Sequence, residues 1–144
     1  MPDDNNVNSI ILIEDNPVDV DLTLRAFKMR NLSNPIIVLR DGEEAIRWME
    51  KLKDGAPLPV VILLDLKLPK YSGLEVLKYI KSSETLNGVP VVVLTTSSED
   101  DDVKQAYKLG VNSYVLKPVD FEKFIDVAVQ IELYWSVLNK PGIR

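Results

Sequence analysis

The most constraining feature of this sequence is a run of five apolar residues, Val60–Leu64, that leads directly into a carboxylate, Asp65. An unbroken run of valine, isoleucine and leucine is typical of a strand buried on both faces, as in the middle of a parallel sheet. Asp65 then lies at the carboxyl end of that strand, where open α/β proteins bind their ligands. Aspartate is also a common turn residue, so this position alone leaves both interpretations open.

Similar apolar runs alternate with segments of helical periodicity along the rest of the chain. The five predicted strands are Ser9–Ile13, Ile36–Leu39, Val60–Leu64, Val91–Leu94 and Ser113–Leu116. The five predicted helices begin at Asn16-Pro17, Asp41, Leu74, Ser98 and Asp120, and Gly110 ends the fourth. This alternation over 144 residues predicts right-handed crossovers and a single doubly wound α/β domain with a parallel sheet.

Two of these helices carry explicit start signals. Asn16 is a capping residue followed by proline at the first helical position, and Asp41 stands three residues before Glu44, as in a capping box. Four consecutive acids, Glu99–Asp102, open the fourth helix. They could bind a cation, but negative charge is favourable at any helix amino terminus, and we prefer that structural interpretation.

Composition excludes several kinds of chemistry. The chain contains no cysteine and no histidine, which removes disulfides, thiol chemistry and the commonest acid–base group near neutral pH. A net charge of −5 argues against binding to DNA or to an anionic membrane surface. The apolar runs are too short for a transmembrane helix, and the acidic amino terminus does not resemble a signal peptide. We therefore expect a cytoplasmic protein.

Polar residues follow four of the predicted strands. Glu14 and Asp15 come after the first strand, Asp65 after the third, Thr95 after the fourth and Lys117 after the fifth. Because the carboxyl ends of parallel strands meet at one edge of a sheet, these side chains are expected to converge. Each one alone could be a capping or solvated group, but their joint occurrence at corresponding places favours a functional site.

This set of side chains suits phosphoryl chemistry with a hard metal ion. Crowded carboxylates repel one another unless a cation lies among them, and oxygen ligands favour Mg²⁺. A carboxylate beside such an ion can act as a nucleophile toward phosphorus. Lys117 would pair with the transferred phosphoryl group, and Thr95 would donate a hydrogen bond to it.

At these residues the sequence resembles the receiver domain of two-component response regulators. The resemblance covers about Ser9 to Asn139 and includes Pro118 after the lysine and Tyr114 before it. It implies a flavodoxin-like five-stranded fold with strand order 2-1-3-4-5 and phosphotransfer to Asp65 from a phosphohistidine on a sensor histidine kinase. Several short segments also resemble the stand-alone regulators that partner cyanobacterial phytochromes.

The resemblance also assigns roles at the metal site. It implies that Mg²⁺ is bound by Asp15, Asp65 and the backbone carbonyl of Lys67, with Glu14 acting through water. The side chain of Lys67 occupies a variable position of the family that influences the lifetime of the phosphoryl group. A cation there could bind phosphate or lie in solvent, and the sequence does not decide between the two.

Readout of phosphorylation would involve Thr95 and Tyr114. In the resembled family the hydroxyl moves toward the phosphoryl group and the aromatic ring turns inward, which shifts the population between two packings. Alternatively, Tyr114 has no part in the switch and is an ordinary half-buried aromatic residue in a strand.

The last helix carries two apolar stripes. Phe121, Phe124, Ala128, Ile131, Trp135 and Leu138 form the expected core stripe, and Ile125, Val129, Leu133 and Val137 form a second one. The core of a domain of this size seldom needs both stripes. We therefore expect the second stripe to be buried against a partner protein or in a homodimer. Packing beneath the chain's own tail is the alternative.

Three rival functions differ in what they require. A phosphohydrolase of the haloacid-dehalogenase type places a second aspartate two residues after the nucleophile, where this chain has Lys67. A nucleotide or flavin binder would need a phosphate cradle after the first strand, where Glu14 and Asp15 would repel the ligand. A receiver-like interaction module that is never phosphorylated is the strongest of these rivals, but the complete set of acidic, hydroxyl and lysine residues argues against it. We therefore predict a response regulator that modifies only its own Asp65 and is not an enzyme in the usual sense.

Overall fold

In the computed structural model, the part of the chain that is described comprises residues 8–32, 34–95 and 100–116, together with positions 122, 125, 126, 128–130 and 133. The strands are β1 (Ile10–Ile13), β2 (Ile36–Leu39), β3 (Val61–Leu64), β4 (Val91–Thr95) and β5 (Ser113–Leu116). The helices between them are α1 (Pro17–Met29), α2 (Gly42–Lys53), α3 (Gly73–Ser82) and α4 (Asp100–Lys108). The described positions from 122 to 133 are also helical.

The five strands form one parallel sheet with the order β2-β1-β3-β4-β5. This order confirms the predicted doubly wound, flavodoxin-like α/β fold. Strand β3 lies in the middle, with Leu64 level with Ile13 of β1 on one side and Val93 of β4 on the other. Asp65 therefore follows the central strand of the sheet, as the sequence indicated.

Alternate side chains of β3 point to opposite faces of the sheet and enter two separate core layers. Ile62 and Leu64 pack with residues of α2, α3 and α4 on one face of the sheet. Val61 and Leu63 pack with α1 and with Ala128 on the other face. All four of these β3 side chains are fully buried, which explains why this strand shows no alternation of apolar and polar residues.

The predicted boundaries are accurate to within one or two residues in the described part. Strands β1 and β3 begin one residue later than predicted, although the carbonyl of Ser9 still accepts a hydrogen bond from the amide of Val60 at 2.8 Å. Helix α3 begins at Gly73, one residue earlier than predicted, because Ser72 caps it by accepting from the Glu75 amide at 3.2 Å. The predicted start of the fourth helix at Ser98 lies outside the described residues.

The predicted caps are present. Asn16 Oδ1 accepts from the amides of Val18 and Asp19, and Asp41 Oδ1 accepts from the Glu44 amide at 2.8 Å. These bonds satisfy backbone donors that have no partner within a helix.

Gly110 ends α4 as predicted. It adopts a left-handed backbone with φ of +92°, and its amide donates to the Tyr107 carbonyl at 3.0 Å. The Val111 amide donates to the Ala106 carbonyl at 3.3 Å, which completes a Schellman motif.

Four described positions of the last helix belong to its two predicted apolar stripes. Ala128 of the first stripe is fully buried in the core. In the second stripe, Ile125 packs against the core but Leu133 is 60% exposed. The remaining members of both stripes, apart from Val129, lie outside the described residues. None of the described helices has the length and hydrophobicity of a membrane span.

Candidate functional site

Two adjacent strands bring three carboxylates together at one edge of the sheet. Glu14 and Asp15 follow β1, and Asp65 follows β3, whose last residue is level with the last residue of β1. The Asp65 amide donates to the carbonyl of Ile13 at 3.0 Å, which extends the pairing to the site itself. One oxygen from each carboxylate lies within 4.8 Å of the others. The predicted convergence of the acidic residues is therefore present.

The burial of these carboxylates makes a cation favourable. Glu14 is 2% exposed and Asp65 is 6% exposed, whereas Asp15 is open to solvent. Two buried carboxylates side by side lose hydration and repel each other, and a bound cation offsets both effects. Since every donor is oxygen and one side of the cluster is accessible, the residues fit a hard divalent ion such as Mg²⁺ that keeps part of its water shell.

Backbone donors orient the two buried carboxylates. Oδ1 of Asp65 accepts a hydrogen bond from the Lys67 amide at 3.0 Å, and Oε2 of Glu14 accepts from the Asn16 amide at 3.3 Å. The Lys67 side chain is exposed, so its backbone is the part of this residue that contacts the site. The contact involves the Lys67 amide, so metal binding by its carbonyl stays a prediction.

The remaining predicted site residues lie on or beyond β4 and β5. Thr95 is the last residue of β4 and is level with Leu116 of β5. The Thr95 side chain and the whole of Lys117 lie outside the described residues, so their roles stay predictions.

Tyr114 lies on β5, level with Val93 of β4, and is half-buried against the core. Its ring stacks on that of Tyr107, with centroids 6.3 Å apart and an interplanar angle of 29°. Tyr107 is 54% exposed and lies near the carboxyl end of α4. Tyr107 could not be identified from the sequence, because helical spacing alone does not show which residue of a helix contacts a given strand.

A close backbone contact supports the loop after Asp65. The Gly73 amide donates to the Leu66 carbonyl at 2.8 Å, and a Cβ at Gly73 would lie 2.3 Å from both the Asp65 carbonyl oxygen and the Leu66 Cα. Only glycine allows α3 to begin this close to the site. Sequence reasoning missed Gly73, although a glycine directly after a capping serine was an available signal.

Comparisons with known proteins identify relatives along nearly the whole chain. The profile of the response regulator receiver domain matches residues 10–129. The chain is 45% identical over 135 residues to the probable methanogenesis regulatory protein FilR2 of Methanothrix harundinacea, covering 92% of this chain and 87% of that protein. It is 38% identical over 138 residues to response regulator Rcp1 of Synechocystis, covering 94% of each.

Solved structures give the same result. The phosphorylated cyanobacterial phytochrome response regulator RcpA superposes with a TM-score of 0.79 at 37% identity, covering 94% of this chain and 99% of that one. The Mn²⁺-bound form of Rcp1 superposes with a TM-score of 0.78 at 37% identity, covering 95% of this chain and 99% of that one.

Proposed function

Because the chain belongs to the response regulator receiver family of two-component signalling, we propose that it accepts a phosphoryl group on Asp65 from a sensor histidine kinase. The observation that carries this proposal is the cluster of Glu14, Asp15 and Asp65 at the carboxyl ends of β1 and β3. The receiver family is not a conventional enzyme family, and the proposed reaction changes only the protein's own Asp65. We place this reaction in the cytoplasm.

The metal in this proposal is Mg²⁺. Asp15, Asp65 and the backbone carbonyl of Lys67 would bind it, and Glu14 would act through a water molecule. The Mn²⁺-bound form of Rcp1 supports a divalent ion in a similar protein. When bound, the ion supplies positive charge to the oxygens of the transferring phosphoryl group.

The transfer is a displacement at phosphorus. One carboxylate oxygen of Asp65 forms a bond to phosphorus, the P–N bond of the phosphohistidine breaks, and its electron pair stays on the departing imidazole nitrogen. The hydrogen bond from the Lys67 amide keeps the Asp65 carboxylate oriented for this attack. Lys117 would neutralise the charge of the phosphoryl group and Thr95 would donate a hydrogen bond to it.

The signal would leave through a changed protein surface. We propose that Thr95 moves toward the phosphoryl group and that Tyr114 turns inward, which alters the surface formed by α4 and β5. RcpA is described as a phytochrome response regulator, so we propose a sensor kinase of the phytochrome type as the partner. The exposed Leu133 supports a homodimer through the last helix.

Intact-mass measurement after treatment with acetyl phosphate tests the phosphorylation. We expect one phosphoryl adduct that requires Mg²⁺ and is absent from Asp65→Asn, a variant that keeps the size of the side chain and removes its nucleophile. Asp15→Asn should lower the yield at limiting Mg²⁺ and recover at high Mg²⁺. An adduct that persists in Asp65→Asn would place the phosphate elsewhere. Folded wild-type protein that forms no adduct would support an interaction module that works without phosphorylation.

A further inference from the structure

The loop that carries the Lys67 backbone is attached to the start of α2. This β3–α3 loop, residues 66–72, begins directly after Asp65 and ends at the Ser72 cap of α3. Helix α2 begins at Gly42, directly after its own cap, Asp41. Contacts between the loop and this helix start therefore connect the acidic site to a neighbouring element.

The first connection involves only backbone. The Gly42 amide donates to the Pro69 carbonyl at 3.1 Å. A Cβ at Gly42 would lie 2.2 Å from the Tyr71 carbonyl oxygen, so the first turn of α2 is packed directly on the loop backbone. Glycine is required here by close approach, which indicates that the loop has one preferred position against α2.

The second connection is electrostatic and is made by Lys70. Its Nζ lies 3.6 Å from Oδ2 of Asp41 and 3.6 Å from Oε2 of Glu43. Oδ1 of Asp41 accepts from the Glu44 amide, so the capping geometry holds this carboxylate in place for the lysine. The Glu44 hydrogen bond, with a further contribution from Lys70, lowers the pKa of Asp41 below its ordinary value, which keeps the carboxylate charged.

Lys70 adopts a backbone conformation that lysine does not favour. Its φ is +72°, in the left-handed region, where a residue with a side chain is destabilised relative to glycine. A strained residue persists only when surrounding contacts hold it, and such residues cluster at functional sites. Among the described residues, the two ion pairs of Lys70 and the Gly42–Pro69 hydrogen bond are contacts that can hold the loop in this conformation.

We propose that Lys70 is a positioning residue whose ion pairs with Asp41 and Glu43 hold the β3–α3 loop in the conformation that presents the Lys67 backbone to the metal site. The inference rests on the metal site of the proposed function. Lys67 lies three residues before Lys70, and its amide is bonded to Asp65. A loop held at Lys70 therefore keeps both the Asp65 carboxylate and the Lys67 carbonyl in place before Mg²⁺ arrives.

When Lys70 is neutralised, the proposed positioning role and the loss of its charge predict opposite changes in Mg²⁺ affinity. Lys70 is positive, so neutralising it removes repulsion and by simple electrostatics would tighten the binding of Mg²⁺. Loss of the ion pairs instead lowers the fraction of molecules with a binding-competent loop, and the apparent affinity falls in proportion. Both pairs are partly exposed, so we expect Lys70→Met to bind Mg²⁺ about threefold to tenfold more weakly.

Calorimetric titration of the full chain with Mg²⁺ alone measures this effect. Lys70→Arg keeps the charge and should retain wild-type affinity. Lys70→Gly accepts the left-handed backbone but lacks the charge, so its affinity should lie between those of wild type and Lys70→Met. Lys78→Met, which removes an exposed lysine of α3, is the matched control for charge and should bind Mg²⁺ at least as tightly as wild type.

Hydrogen exchange provides a readout that does not involve the metal. In the metal-free protein, Lys70→Met should raise the exchange rate of the Gly42 amide, which bonds to the loop, and leave the amides of β3 unchanged. Wild-type or tighter Mg²⁺ affinity in Lys70→Met would overturn the proposal. Wild-type affinity in Lys70→Gly would overturn the role of the ion pairs. Phosphorylation of the wild type at Asp65 is a separate result, so either failure leaves the proposed function intact.

Discussion

Replacing Gly73 with alanine should push a new methyl group into the backbone that carries Asp65, the proposed phosphoacceptor. The added Cβ would lie 2.3 Å from the Asp65 carbonyl oxygen and 2.3 Å from the Leu66 Cα. Ordinary van der Waals contacts of a Cβ begin at 3.4 Å, so α3 or the site must move by roughly 1 Å. Both obstructing atoms belong to the backbone, and no rotation of a side chain can relieve the contact.

This displacement should lower both the free energy of unfolding and the rate of phosphorylation. Forcing an extra methyl into a packed region costs about 1–3 kcal/mol, and the higher helix propensity of alanine returns up to about 1 kcal/mol. We therefore expect Gly73→Ala to lower the free energy of unfolding by about 1–2 kcal/mol. Misplacement of Asp65 by about 1 Å should also slow phosphorylation by up to about 100-fold.

Urea unfolding and the rate of phosphorylation by acetyl phosphate measure the two effects. Gly88→Ala is the matched control, because a Cβ at Gly88 would meet no atom within 4 Å. That control should change the free energy of unfolding by no more than about 0.5 kcal/mol and leave the rate unchanged. If Gly73→Ala matches the control in both measurements, the close contact does not position Asp65.

Further predictions concern Asp41, Tyr107 and Leu133. Asp41→Asn keeps a capping oxygen but removes the charge, so it should lower the free energy of unfolding at neutral pH by less than about 1 kcal/mol. The Glu44 hydrogen bond holds the pKa of Asp41 below its ordinary value in the folded protein, so the stability that the carboxylate confers is complete above that ordinary value. This stability is lost as the pH falls through the folded pKa, and the difference in urea unfolding should vanish there. Tyr107→Ala removes the ring that stacks on Tyr114. If Tyr114 turns inward in the proposed switch, binding of beryllium fluoride, a phosphoryl mimic, should tighten about twofold to tenfold. Tyr107→Phe should bind it as wild type does; equal affinity in all three proteins would exclude the stack from the switch. Leu133→Asp should convert the proposed homodimer to monomer in sedimentation, and a wild type that is monomeric at every concentration would contradict the dimer.

The acidic part of the site could be predicted because strand ends are visible in a sequence. The apolar runs locate the last residues of β1 and β3, and parallel pairing places Glu14, Asp15 and Asp65 at one edge. The same rule predicts that Thr95 directly follows β4, and in the structure β4 extends by one residue to include it. This prediction requires only the positions of the apolar runs and the assumption that the strands are parallel.

The contacts around the site could not be predicted in this way. Gly73 matters through its distance from the backbone of Asp65 and Leu66, and Lys70 through its distance from carboxylates on another element. Tyr107 matters through its contact with Tyr114. A positive φ at Lys70 has no signal in the sequence, because turns with this geometry usually contain glycine or asparagine. These features arise only after the loop, α2 and α4 have packed on the sheet.

The amino-acid sequence by itself determined the alternation of strands and helices, the central position of the buried run before Asp65, and the chemistry available at the strand ends. Those properties depend on local hydrophobic periodicity and on the residue type at each terminus. Only the tertiary structure decided how close the three carboxylates lie, how α2 and α3 contact the β3–α3 loop, and which aromatic residue covers Tyr114. These properties depend on how strands, helices and loops pack against one another in three dimensions, where differences of about 1 Å separate a contact from a clash.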